Sequence, residues 1–262
     1  MMKKTKFDFV LPIGETCVTA YNVRRCGLQK ESLPFDWIWI SGLPMLTGFF
    51  QNQFSDFLRK ENLCFLRNNG DADIYRDTLT KTEFWHDFMV GEDFDKAYES
   101  NYQKYQRRIK RMYYHLSCAQ NILLIRTVKI KPHRQITDDD FMFSNAPENT
   151  QQLLQEFSEF QSLYPNKHIE LQLFYLYDEP CEYKEYNLSP SVHICELFND
   201  DKFGWKGDES AIGKVLAAYQ LSWRAKLRYG LNTVCFKLKK LGLRMLALLG
   251  HEKSRCRLKK KS

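Results

Sequence analysis

The segment Leu11-Pro-Ile-Gly-Glu-Thr-Cys17 places a thiol just past a short apolar run, where the chain turns into a stretch of helical character. Unpaired backbone N–H groups and the helix dipole stabilise an anion at such a position, so the spacing points to a thiolate nucleophile. The same N–H groups could hold an oxyanion on a substrate carbonyl. The competing reading is a buried cysteine acting as a small apolar residue. A thiolate hydrolase needs a base, and the sequence offers His86, His115, His133, His168, His193 and His251. His86 is preferred. It lies in Phe84-Trp85-His86-Asp87-Phe88, an aromatic and non-helical segment with a carboxylate next to it. Either Asp87 or Asp36, in Pro34-Phe-Asp-Trp37, could orient the imidazole. His193, with Asn199 after it, is the rival base, although Val192-His193-Ile194-Cys195 reads as a strand, where a hydrogen-bonded core histidine is the commoner outcome. No metal-ligand spacing and no phosphate-binding glycine motif occur, so neither a metal nor a cofactor is expected.

These groups need a scaffold. Phe7 to Ile13 reads as a strand stopped by Gly14, followed by a helix to Arg25 with Gly27 as its stop. Residues 43 to 60 read as a second helix, from the recurrence of Leu46, Phe49, Phe50, Phe54, Phe57 and Leu58. A long helix over Asp95 to Cys118 leads into the strand Asn121 to Arg126, and a helix over Gln151 to Tyr164 leads into the strand His168 to Tyr177. Val192 to Phe198 is a further strand before the last helix. Nearly continuous apolar strands alternating with helices predict a layered α/β domain with a mainly parallel central sheet and helices on both faces. Reactive groups of such sheets collect beyond the carboxyl ends of the strands. Gly14, Glu15, Trp37, Arg126 and Trp205 are accordingly expected to line the substrate site with Cys17. Arg126 ends a buried strand, so it either pairs with an acid or meets an anionic substrate. Asp208, in Gly204-Trp-Lys-Gly-Asp208, is read as a helix cap.

The chain has 262 residues and a net charge of +7, unevenly spread. From Lys214 onward there are fourteen Lys or Arg against one acid, Glu252, whereas the preceding 213 residues hold 25 bases and 31 acids. A mildly acidic body, residues 1–222, thus carries a basic tail, residues 223–262, and the whole-chain charge is no argument for nucleic acid. In the tail Leu227, Leu231, Val234, Leu238, Leu241, Met245 and Leu248 recur at threes and fours, with Lys237, Lys240 and Arg244 on other faces. That amphipathic pattern predicts docking on an anionic membrane surface. Eight cysteines without paired spacing, no signal-peptide pattern and no long apolar run suggest reduced thiols and a cytoplasmic protein, peripheral on the inner face of the membrane.

Taken in order, Gly14-Glu-Thr-Cys17, Arg25-Cys-Gly-Leu28, Pro34-Phe-Asp-Trp37, His86-Asp87-Phe88, Arg107-Arg108-Ile-Lys-Arg111 and Ile125-Arg126 resemble a bacterial family of unassigned function labelled papain-like cysteine peptidases. The resemblance spans roughly residues 7 to 210 and implies a Cys17 nucleophile, a His86 base and an acid partner. Two departures from papain itself are visible: no Cys-Gly-Ser-Cys-Trp pattern surrounds Cys17, and the strand and helix alternation differs from papain's two-part fold. The expected function is therefore thiol hydrolysis of an amide, ester or thioester in an acyl or glycan-linked substrate. The alternative is a non-catalytic ligand-binding module of a surface-polysaccharide pathway, docked on the membrane.

Overall fold

The computed structural model describes residues 4–40, 42–133 and 143–231. In chain order the elements are β1 (Thr5–Phe7), β2 (Phe9–Pro12), α1 (Cys17–Arg25), β3 (Ile38–Trp39), α2 (Gly42–Gln51), β4 (Leu63–Asn68), β5 (Asp73–Asp77), β6 (Glu83–Phe84), α3 (Phe94–Cys118), β7 (Asn121–Ile130), β8 (Phe143–Ser144), α4 (Thr150–Ser162), β9 (His168–Tyr177), β10 (Lys184–Ser189), β11 (Val192–Phe198), α5 (Glu209–Leu216) and β12 (Tyr219–Leu221). They belong to one unit ending at Leu221; a second unit begins at Ser222, and in it residues 223–231 are helical. Of the apolar tail stripe, Val234 and everything after it lies outside the described residues.

The central sheet runs β10-β11-β9-β7-β2, with β8 pairing the end of β7. Strands β2, β7, β8, β9 and β11 are parallel, and only the edge strand β10 is antiparallel. The sheet is covered on both faces because its strands alternate between two apolar sets. Leu11, Ile13, Leu124, Val128, Leu171, Leu173 and Ile194 enter the large core with α2, α3 and α4, through residues such as Phe50, Tyr105, Met112 and Phe157. The intervening residues, among them Val10, Leu123 and Ile125, are equally buried and face the other way, toward α1. A mainly parallel α/β domain is what the apolar strands predict, and the structure has that architecture.

Between β2 and β7 the chain also builds a second sheet, β3-β6-β5-β4, entirely antiparallel. Sequence periodicity gives no sign of it. The helix expected over 43 to 60 stops at Gln51, since Gln53, Phe54 and Leu58 take positive φ values of 55°, 62° and 56°. Left-handed backbone costs of order 1 kcal/mol or more at a non-glycine residue. Burial offsets it here: Phe54, Phe57 and Leu58 are fully inside, and Phe54 packs on Phe35, Phe49 and Phe50.

Candidate active site

The nucleophile candidate is placed by the passage from β2 to α1. Beyond β2 the chain stays on the β7 ladder through Ile13 N–H to Ile125 O (2.8 Å) and Glu15 N–H to Thr127 O (3.3 Å). Between them Gly14 approaches α1 so closely that a Cβ there would stand 1.6 Å from Thr19 Oγ1, itself hydrogen-bonded to Thr127 Oγ1 at 2.6 Å. Thr16 is the N-cap of α1, yet its hydroxyl makes no capping bond. Cys17 opens the helix, half-buried. The expectation of an easily formed thiolate does not hold in this state. Burial pushes the Cys17 thiol up to about 11, against the opposing pull of its own backbone N–H and of Lys129. Desolvation therefore outweighs the helix terminus.

His86 comes from the small sheet, two residues past β6. Its Nε2 lies 3.4 Å from Cys17 Sγ, although 69 residues separate the two in sequence. The Trp37 ring meets the imidazole edge-on at 6.4 Å between centroids. Neither expected carboxylate hydrogen-bonds to the imidazole. Asp87 points away, accepting from Tyr105 Oη at 2.8 Å and from Lys104, while its backbone carbonyl accepts from Asn101. Asp36 is fully buried and accepts from Gln29 (2.8 Å), Leu33 N–H (2.9 Å) and Arg24. Both acids brace the loops carrying Trp37 and His86. Among the described residues, the His86 ring has no hydrogen bond other than the one to sulfur.

Cys17 and His86 open into a cavity of about 600 Å³ lined also by Thr16, Trp37, Trp39, Trp85, Lys129 and Trp205. Of the residues expected to face the substrate, Trp37 and Trp205 are in the lining. Gly14, Glu15 and Arg126 are not. Gly14 is closed off by Thr19, and Arg126 has the opposite strand parity from Thr127 and Lys129. Arg126 is 1% exposed and spends its charge on Glu15 at 2.7 Å and Glu148 at 3.4 Å. Burial pushes Glu15 up to about 7 despite Arg126. Arg126 thus takes the pairing alternative, an acid rather than a ligand.

Thr16, Trp39, Trp85 and Lys129 were not legible as lining residues, although Lys129 interrupts an apolar strand on the same face as Thr127. Desolvation lowers the Lys129 amine below its ordinary value. His193 is a bonded sheet histidine, held by Asn187 at 2.7 Å and Glu170 at 3.1 Å. Asp208 caps α5 by accepting from Ser210 and Ala211 N–H, both at 2.9 Å. No group of three or more His, Cys, Asp or Glu among the described residues could hold a metal ion, and no helix among them is long and apolar enough to cross a membrane.

A thiol from the end of the parallel sheet and an imidazole from the small antiparallel sheet are thus in contact, and the chain belongs to the family described as "Putative papain-like cysteine peptidase (DUF1796)", whose model matches residues 8–157. That span contains Cys17 and His86. Among curated proteins the chain is similar to "Uncharacterized protein R408" of Acanthamoeba polyphaga mimivirus, 30% identical over 144 residues, which are 47% of this chain and 63% of the relative. The chain therefore spans less than two thirds of that relative, and its viral source gives no support to the bacterial attribution. No solved structure matches.

Proposed function

We propose that the protein is a thiol-dependent acyl hydrolase in which Cys17 attacks a carbonyl and His86 moves the proton. The observation that carries this reading is the 3.4 Å approach of Cys17 Sγ to His86 Nε2 on the wall of a cavity large enough for a substrate. Because burial keeps the thiol protonated at neutral pH, His86 removes the proton as the S–C bond forms, giving a tetrahedral adduct. The adduct collapses as the bond to the leaving group breaks, and His86 returns the proton to that group. Water, deprotonated by His86, then attacks the acyl-cysteine, releasing the acid and restoring the thiol. The chemistry covers amide, ester and thioester bonds. The family description favours the amide.

An activated ester tests this. Mass spectrometry should find the acyl group on Cys17, none on Cys17→Ala, and acylation about 10²- to 10⁴-fold slower in His86→Ala, the usual contribution of a positioned base. Acylation spread over Cys64 and Cys118, or a rate indifferent to His86, would overturn the assignment.

The fourteen basic residues from Lys214 onward support a second part of the proposal, attachment of the tail to an anionic membrane surface. Cosedimentation with anionic liposomes should be lost in a chain ending at Ala225.

A further inference from the structure

The cavity beside Cys17 has an unusual lining. Four of its eight residues are tryptophans, from a chain that has five. They arrive from separate places: Trp37 and Trp39 around β3, Trp85 after β6, and Trp205 from the turn Asp201–Lys206. Their own partners hold them in place. Trp39 and Trp85 stack at 3.9 Å between centroids, and Trp85 Nε1 donates to Glu83 Oε2 at 2.6 Å, so that ring offers a ligand only its apolar surface. Arg67 covers Trp85 at 4.9 Å and Arg24 covers Trp37 at 5.4 Å. Trp205, half exposed, leans edge-on against Tyr21 on the rim. Glycines with positive φ, Gly204 at 57° and Gly207 at 70°, flank it.

Polar side chains are few: among the described residues the lining has Cys17, His86, Lys129 and Thr16 besides the indoles. The Thr16 hydroxyl is buried, unpartnered among the described residues, and unused as a helix cap, although Thr is at the cap position. A buried hydroxyl without a partner is destabilising unless something meets it. Sugar binding also uses indole faces, but it needs several polar side chains to meet the hydroxyls, and among the described residues this lining has four, two of them the Cys17 and His86 pair.

We propose, building on the acyl-hydrolase reading, that the site selects donors with a large apolar acyl group, which lies among Trp37, Trp39, Trp85 and Trp205 while the Thr16 hydroxyl, turned toward the cavity about its Cα–Cβ bond, donates to the carbonyl oxygen at Cys17. The acyl carbonyl carbon then stands before Cys17 Sγ with its chain directed into the indoles. The Thr16 bond follows the oxygen as it becomes an oxyanion.

Two measurements separate this from the underlying reading. With p-nitrophenyl octanoate and p-nitrophenyl acetate, kcat/KM for Cys17 acylation should favour octanoate at least tenfold after correction for solution reactivity, since each buried methylene favours binding by about 0.8 kcal/mol. Thr16→Val should lower both rates tenfold or more and keep their ratio; unchanged rates would remove Thr16 from the proposal. Equal rates for the two esters would overturn the apolar acyl site and leave the hydrolase standing. Acylation by neither would overturn the hydrolase. Tryptophan fluorescence of Cys17→Ala then decides the acyl site by itself. Titration with octanamide should saturate, acetamide and methyl glucoside should not, and Trp85→Phe should weaken the octanamide response. Saturation by methyl glucoside alone would make it a sugar site and refute the proposal.

Discussion

Raising the pH should reveal whether Cys17 works as a neutral thiol or as half of a preformed ion pair. Burial takes the thiol from an ordinary 9.0 to about 11. That corresponds to roughly 3 kcal/mol against the thiolate, or a thiolate population near pH 7 about a hundredfold smaller than that of an ordinary cysteine. The perturbation is a pH series from 6 to 11, and the assay is iodoacetamide alkylation at Cys17, read peptide by peptide against exposed Cys64 and Cys118 as internal references. The rate at Cys17 should climb about tenfold per pH unit and continue to climb up to about pH 11. The same shift has a sign in stability. The unfolded thiol ionises near 9 and the folded one near 11, so the folded state loses stability as pH rises across that window, and Cys17→Ala should lose less. A Cys17 rate flat from pH 6 to 8 and faster than Cys64 would refute the reasoning, because only a thiolate–imidazolium pair behaves that way.

Gly14→Ala should destabilise the fold by about 2–4 kcal/mol in urea unfolding, combining overpacking with loss of the Thr19 to Thr127 hydrogen bond. Adding Thr19→Ala should recover only part of this, because Thr19 Cβ would itself stand 2.5 Å from the new methyl group. Asp36→Ala should cost roughly 3 kcal/mol, since Gln29, Arg24 and the Leu33 N–H lose a buried acceptor together. Glu15, pushed by burial to about 7 from 4.5, binds a proton more readily folded than unfolded. Its contribution is therefore complete below 4.5 and fades as pH rises through 7, and Glu15→Gln should flatten the urea midpoint across that interval.

The parts of the fold visible in the sequence are those long enough to show a period. Strands β9 and β11 and helix α3 stand within a residue of where apolar spacing puts them, because elements of ten, seven and 25 residues repeat their pattern several times. Strand β7 runs four residues beyond the expected Arg126, since Arg126 and Lys129 interrupt the apolar run and only tertiary partners allow their burial. The small sheet stays hidden because β3 and β6 have two residues each and β4 exposes much of both faces. Site residues show the same division. Cys17 is legible from the strand, turn and helix around it, and His86 from its aromatic setting. Their pairing is an expectation of the sequence; what is not legible is the bonding of Asp36 and Asp87, which depends on Arg24, Gln29, Lys104 and Tyr105 reaching them from elsewhere in the chain. Arg126 looks available until Glu15 and Glu148 are placed beside it.

The division of the site between two sheets has a consequence for control. Cys17 rides on the parallel sheet, whose buried strands are the last part of such a domain to open. His86, its proposed base, rides on a four-stranded insert with short, half-wet strands, the kind of element that opens locally at low free-energy cost. Fraying the insert would withdraw His86, Trp39 and Trp85 together and leave Cys17 on an intact scaffold. Catalytic competence then becomes a property of a local equilibrium, and a partner that clamps or pries the insert could govern turnover without touching the nucleophile. Hydrogen exchange should find the β4 and β5 amides released far earlier than those of β7 and β9.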